Sequence, residues 1–397
     1  MAAKLDGVRI LDISRVLSGP YCSMVLADLG AEVIKVEPPG GDETRTWPPF
    51  YPNGESGYFL ALNRNKKGMV LNLKHPEGKK VLFDLAKKSD VVIENFTPGV
   101  VKRLGIDYES IKKINPKIIY CSISGFGQTG PYSKKKAYDP VIQAIGGAMS
   151  LTGVKGGEPV KIGIPVGDLG GAMMAVTAII AALFARETQG GVGDFIDISM
   201  LDGQIALLSI MAAEYFAEGK VPQRWGLEHP WRVPSKTFQT KNGYITSSAT
   251  SSNMYPTLCK VLGLEHLIDD PRFKTNADRV TNRDQIYPLM EEVMRTKTSE
   301  EWEKIFEAAE LPSGIMYTLD QVFSDPHVLE RKMLEVVDHP TVGKLKMIGV
   351  PVKFGSNGTK KMTVPPMLGE HTDQILRDVL GYADGEITRM RKEKVVS

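Results

Sequence analysis

Up to residue 125 the chain alternates short apolar runs with helical stretches, and that alternation restricts the possible folds more than any other feature. Val8 to Ile13 spells a strand, Cys22 to Leu29 a helix that Gly30 ends, and Glu32 to Glu37 a second strand. A helix over Pro76 to Lys88, a strand over Val91 to Asn95 and a strand over Lys117 to Ser122 continue the series. Strands joined through helices run parallel, and the helices cover both faces of the sheet. The expected fold class is therefore α/β, with a parallel, Rossmann-like sheet whose ligands gather at the carboxyl ends of the strands.

A different texture runs over about residues 226–330, opening with the Trp-rich loop Arg224 to Trp231. A strand at Gly243 to Thr246 leads into polar, helical sequence, in which Thr298 and Glu301 have the spacing of a capping box before a helix over Trp302 to Ala309. Strand patterns return from Met333, most clearly over Gly343 to Phe354, and a helix follows near Thr372 to Leu380. Residues 1–225 are thus expected to begin a large domain, 226–330 to form a smaller inserted α+β domain, and 331–397 to complete the large one.

Composition excludes several classes of partner. The 49 Lys and Arg against 47 Asp and Glu leave a net charge of +2, too small to point to nucleic acid or a membrane surface. Cys22, Cys121 and Cys259 are odd in number and far apart, which fits a reducing cytoplasm rather than a disulfide framework, and the six scattered histidines suggest no metal site. The start Met-Ala-Ala-Lys-Leu-Asp-Gly leads into a strand without a targeting pattern. The apolar run Met173 to Leu183 stops at Arg186-Glu187, well short of the roughly 20 residues a bilayer needs. Glu37 ends the second strand where a dinucleotide enzyme would bind ribose. The stretch from Ser14 to Pro20 nevertheless holds one glycine where that fingerprint needs three.

Asp168 carries the chemistry. It lies in Gly163-Ile-Pro-Val-Gly-Asp-Leu-Gly-Gly171, before the apolar run Ala172 to Phe184. One reading makes it a helix N-cap. The other makes it a carboxylate nucleophile: Gly167, Gly170 and Gly171 clear space for a bulky partner, and helix-start amides hold developing negative charge.

Six ordered strings resemble the class III coenzyme A transferases: Arg15-Val-Leu-Ser-Gly-Pro20, Asp28 to Glu37, Asn63-Arg-Asn-Lys-Lys67, Glu94 to Gly99, Gly125 to Pro131, and Gly167-Asp168. The similarity continues to Leu368-Gly-Glu-His-Thr372. Arg224-Trp225-Gly226, His229, Thr275-Asn276, Arg279-Val280 and Asn282-Arg283 resemble the branch that exchanges CoA between succinate and hydroxymethylglutarate. The resemblance implies a homodimer of interlocked chains, no permanently bound cofactor, and acyl-CoA thioesters and free carboxylic acids as substrates. It also implies attack by Asp168 on the donor thioester, with an aspartyl anhydride and then an aspartyl-CoA thioester as intermediates. Ser247 to Ser252 is a candidate for closing the site against water, or a plain polar loop.

For CoA, the family pattern maps onto Val16, Leu17 and Ser18 at the pantetheine arm, Leu71, Lys74, Asn95, Phe96 and Arg103 at the nucleotide end, and Lys136 nearby. Where many members place an Arg after the second strand this chain has Pro38, so phosphate contact there falls to Lys35, Arg45 or another residue, or is not made at all. Leu17, Tyr138, Arg224, His229 and Arg232 are the acyl-site candidates, the last three as cations for the far carboxylate of a dicarboxylic acid. For each of these a structural role, surface or core, is the alternative. Tyr138 stands where the family's racemases carry their His base. A phenol titrating near 10 suits α-proton abstraction poorly, so racemization is the lesser alternative. A silent CoA-binding homologue is a third, disfavoured by the presence of Asp168.

Overall fold

The computed structural model describes residues 2–355 and 359–397; residues 356–358 of the return segment lie outside the described residues. Six strands form one parallel sheet: β1 (Arg9–Asp12), β2 (Glu32–Glu37), β3 (Lys66–Val70), β4 (Val91–Glu94), β5 (Ile119–Ser124) and β6 (Asp194–Ser199). Their order is β3-β2-β1-β4-β5-β6. Successive side chains leave a strand on opposite faces, so β1 sends Ile10 into one buried cluster, with Val33, Ile93 and Ile179, and Leu11 into another, with Ile34, Val92 and Leu85. Strand order reverses between β1 and β4. The chain segments leaving their carboxyl ends diverge there and open a crevice.

Helix α1 (Ser18–Asp28) returns the chain from β1 to β2 and begins four residues before the expected Cys22. Gly30 closes the turn at φ +116°, where an added Cβ would meet that of Ala3 at 2.4 Å. Helix α2 (Pro76–Lys87) has Pro76 in its first turn. β3 and β6 were not legible as strands, because KKGMV and DFIDIS interrupt their apolar residues with charge.

Helix α3 (Asp139–Ile145) precedes the long helix α4 (Val166–Thr188), which packs on β5, β6 and α1. The expectation of a run too short for a bilayer is corrected: α4 has 23 residues and a window of mean hydropathy 1.8, so by length and composition alone it could cross a membrane. Its first turns were missed because glycines and Asp168 interrupt the apolar pattern. Helix α5 (Met200–Glu218) follows β6 and is kinked at Ser209.

Contacts divide the chain into a larger unit, residues 1–148, 161–218 and 327–397, and a smaller one, residues 149–160 and 219–326. Against the expected boundaries at 225/226 and 330/331, the contacts divide the chain at 218/219 and 326/327, and residues 149–160 pack with the smaller unit although they precede α4. The larger unit also contains the hairpin β10 (Leu334–His339) and β11 (Gly343–Ile348), where Gly349 and Pro351 stop the strand before the expected Phe354. The chain end is pinned beside β3 by a bridge between Leu71 and Val396. The smaller unit holds the antiparallel sheet β7 (Ser235–Gln239), β8 (Tyr244–Ser248), β9 (Ser313–Ile315). Its capping box at Thr298 and Glu301 is formed and opens the helix Ser299–Ala308.

Candidate active site

The crevice is shaped by the segment Ile13 to Leu17, whose polar backbone atoms are gripped one after another by side chains from elsewhere. Asp12 accepts from the Ser14 amide at 2.9 Å and its hydroxyl at 2.5 Å. The Ser14 carbonyl accepts from Lys35 Nζ at 3.1 Å. Asn95, at the end of β4, accepts from the Arg15 amide at 2.8 Å and donates to the Arg15 carbonyl at 2.7 Å. Val16, a β-branched residue held at φ +66°, donates a long bond of 3.4 Å to Asp42 Oδ1. That conformation persists only where its surroundings enforce it.

Below this segment lies a buried ion network. Lys35 pairs with Asp42 at 3.0 Å and Lys66 with Asp12 at 3.2 Å, each side chain almost wholly shielded from solvent. Burial works against the Lys35 charge, but Asp42, Asp12 and Glu37 outweigh it and raise its pKa. Burial likewise disfavours the Asp12 carboxylate, and Lys66 with Lys35 reverses the balance and lowers its pKa. Lys66 itself is pushed down to about 8 by burial, despite Asp12. Of the alternatives for phosphate contact, Lys35 and Arg45 are already engaged within the protein. Lys35 is consumed by Asp42 and Ser14, and Arg45 grips Glu37 bidentately at 2.7 and 2.8 Å. Glu37 is buried and occupied in the same way.

Asp168 stands in the first turn of α4, whose N-cap is Pro165, so the N-cap reading does not hold. It lines a cavity of about 190 Å³ together with Val16, Ser18, Asn95, Ser124, Tyr138 and Met200. Burial, reinforced by the Asp139 carboxylate, pushes Asp168 up to about 7, against hydrogen bonds from the Ser18 hydroxyl and amide. Asp139 is itself tied down, accepting from the Gly167 amide at 2.8 Å and from Gln143 at 2.7 Å. The flanking glycines have close neighbours: an added Cβ would lie 3.0 Å from Ile142 at Gly167, 3.2 Å from Leu207 at Gly170 and 3.1 Å from Met200 at Gly171. The arrangement offers a part-buried carboxylate, titrating near neutrality, at a cavity floored by the sheet's switch point. Such a group can attack an acyl carbon.

Of the other expected residues, Tyr138 and Lys136 also line this cavity. Tyr138 is 61% exposed and is not a core tyrosine. Leu17 is buried and is not among the residues lining the cavity. Leu71, Lys74 and Phe96 line an adjoining groove of about 400 Å³ with Pro38, Pro39 and Leu104. Arg103 is exposed on the short helix Val100–Leu104. Sequence reasoning missed Asp139, Ser124 and Tyr58, whose phenol is pushed up to about 12 by burial and by the carboxylate of Asp168. An Asp-Pro pair opening a helix, with Gln143 one turn on, was the available signal for Asp139.

In the smaller unit the Trp-rich loop separates its cations. Arg224 donates to the Gly157 carbonyl at 2.7 and 3.1 Å and to that of Ser150 at 3.3 Å. Trp225 is stacked by Arg283, with its guanidinium 4.1 Å from the ring centre. His229 Nδ1 accepts from the Trp231 amide at 3.2 Å, and burial with the charges of Arg232 and Arg283 lowers its pKa. Arg232 is exposed. Ser247 and Ser248 belong to β8, and the Ser247 hydroxyl donates to the Pro312 carbonyl at 3.2 Å; the first part of that stretch is sheet and not a polar loop.

Residues 5–372 match the family model described as CoA-transferase family III. The chain belongs to CoA-transferase family III. The human protein named succinyl-CoA:glutarate CoA-transferase is 43% identical to this family III chain, over 99% of it and 90% of the human sequence. A succinate–glutarate CoA-transferase of Agrobacterium fabrum is 36% identical over 94% and 95% of the two chains. Among solved structures, a CAIB/BAIF family protein from Brucella suis superposes with a TM-score of 0.86 at 37% identity, covering 96% of this chain and all of that one. The chain is thus a family III CoA-transferase.

Proposed function

We propose that this CoA-transferase moves CoA from succinyl-CoA to a glutarate-like dicarboxylic acid, with Asp168 as the covalent relay. The observation that carries the mechanism is Asp168 itself, a part-buried carboxylate in a cavity of about 190 Å³ beside the groove lined by Leu71, Lys74 and Phe96. One of its oxygens attacks the thioester carbon; the C–S bond breaks, CoA leaves as thiolate, and a succinyl-aspartyl anhydride remains. The thiolate attacks the aspartyl carbonyl of the anhydride, releasing succinate and forming an aspartyl-CoA thioester. The acceptor carboxylate then displaces thiolate to give a second anhydride, and return of the thiolate to the acceptor's carbonyl yields the new acyl-CoA and free Asp168. No proton is consumed, and a carboxylate with a raised pKa is a stronger nucleophile than an ordinary one once ionised.

The choice of acids rests on the names of the two transferases above and on the exposed Arg232 beside His229. CoA would lie along the groove, with Lys74, Lys136 and Arg103 near its phosphates. We place the enzyme in the cytoplasm as a homodimer. Met173, Phe184, Ile210 and Phe216 leave apolar surface exposed on α4 and α5, which a second copy would cover. Light scattering over a wide dilution range should then show a dimer throughout.

The mechanism is tested by trapping. Protein mixed with succinyl-CoA and treated with hydroxylamine should carry a hydroxamate at residue 168. Label on a cysteine instead, or full turnover by Asp168→Asn, would overturn it.

A further inference from the structure

Among the described residues lining the cavity at Asp168, one buried side-chain polar atom has no hydrogen-bond partner. Ser124 closes β5 at its carboxyl end, is only 6% exposed, and its Oγ makes no hydrogen bond. Two residues earlier on the same strand, the buried Ser122 is by contrast fully engaged, donating to Glu94 and accepting from Gln128 at 2.8 Å. A buried hydroxyl left without a partner is destabilising, and such groups in folded proteins ordinarily have a role or a missing partner. Ser124 lines the same cavity as the Asp168 carboxylate, to which Ser18 donates.

We propose that the Ser124 hydroxyl is the donor that holds the acyl oxygen of the bound thioester and stabilises it as an oxyanion when Asp168 attacks. This rests on the reading of Asp168 as nucleophile. As the new C–O bond forms, the carbonyl π electrons move onto the acyl oxygen; they return as the C–S bond breaks and CoA thiolate departs. Ser124 keeps its proton throughout. Its hydrogen bond strengthens as charge develops, so its effect falls on the rate of acylation rather than on the binding of CoA. The same donor serves each carbonyl that passes through the site.

The test uses the full chain with Ser124→Ala, a change that removes one oxygen and leaves the packing intact. Rapid mixing with succinyl-CoA, followed by hydroxylamine, gives the rate of label formation at Asp168; calorimetry gives the Kd for free CoA, and a thermal scan gives Tm. Acylation is expected to slow by about 10- to 100-fold. The Kd should stay within about twofold, and Tm should stay equal or rise because a buried unpaired hydroxyl has gone. Acylation at the natural rate would overturn the proposal and assign Ser124 an ordered water alone. A loss that follows a fall in Tm or in CoA affinity would overturn it as well. Failure of the nucleophile reading looks different: the natural protein itself would then carry no label at residue 168, and both proposals would fall together.

Discussion

The crevice between β1 and β4 and the Trp-rich loop of the smaller unit are both dense in charge, and they use it in opposite ways. In the crevice, Asp12, Lys35, Asp42 and Lys66 are buried, pair with one another and clasp backbone atoms of Ser14 and Val16. Their charge holds a segment in one conformation. In and around the loop, Arg224 is spent on carbonyls, Arg283 lies over the Trp225 indole, and Arg232 reaches solvent. A rigid site for an attack on carbon needs the first arrangement, while recognition of a distant carboxylate needs a cation that is still available.

The comparison breaks most decisively at Asp168. Replacement by Ala should lower turnover by at least about 10³-fold while the circular dichroism spectrum and CoA affinity stay unchanged, because only the bond-forming group is removed. Assay of CoA esters by mass spectrometry measures both sides of the exchange. Residual turnover within tenfold of the natural protein would show that the crevice works without a relay.

Next in size is the ion network. Lys35→Met leaves Asp42 buried without its cation and frees the Ser14 carbonyl, and breaking one half of such a pair costs about 3–5 kcal/mol. Urea unfolding should show a loss of that order, with the greater part of the activity lost as well. Arg224→Ala, which removes three bonds to carbonyls at a part-exposed site, should cost about 1–2 kcal/mol. Equal losses would mean that the two regions do not differ in the way their burial indicates.

How these regions read in the sequence differs for the same physical reason. The apolar strands β1, β2, β4 and β5 were legible because period and composition agree, and Asp168 stood out through its glycines. Those glycines also sit against close neighbours from other elements, a packing demand that only the fold reveals. Lys35 and Lys66 were not legible as core residues at all. In EVIKVE and KKGMV a lysine reads as a solvent position, and only the facing carboxylates, seven and 54 residues away, make its burial tolerable. Ser124 gave no signal, since a serine at a strand end is ordinary until its neighbours are known.

A smaller effect separates the loop's cations. If Arg232 holds the far carboxylate, Arg232→Ala should raise KM for glutarate about tenfold and leave that for a monocarboxylate such as valerate unchanged. Arg224→Ala should change both acids alike, through stability. An Arg232→Ala protein that still prefers glutarate to valerate by the natural ratio would remove the loop from specificity.

The smallest expected effect is on stability against pH, where the carboxylates of the crevice carry opposite signs. Asp12 and Asp42 have lowered pKa values, so their contribution is present above about pH 4 and is lost as pH falls through their folded values. Asp168 is raised from 3.8 to about 7, so the folded state holds its proton more tightly than the unfolded chain. Between those two pH values its ionisation opposes folding increasingly, and above about 7 the penalty is constant. Asp168→Asn should therefore melt higher than the natural protein at pH 8, by about 1–3 °C since the group is only part-buried, and the gap should close toward pH 4. Activity should follow the same ionisation, with kcat/KM of the natural protein rising to a plateau about a midpoint near 7. Asp139→Asn keeps the bond from the Gly167 amide but removes the neighbouring charge, so it should move that midpoint toward acid. A midpoint that stays in place would assign the raised pKa to burial alone; a midpoint near 4 in the natural protein would mean that the cavity does not perturb Asp168 at all.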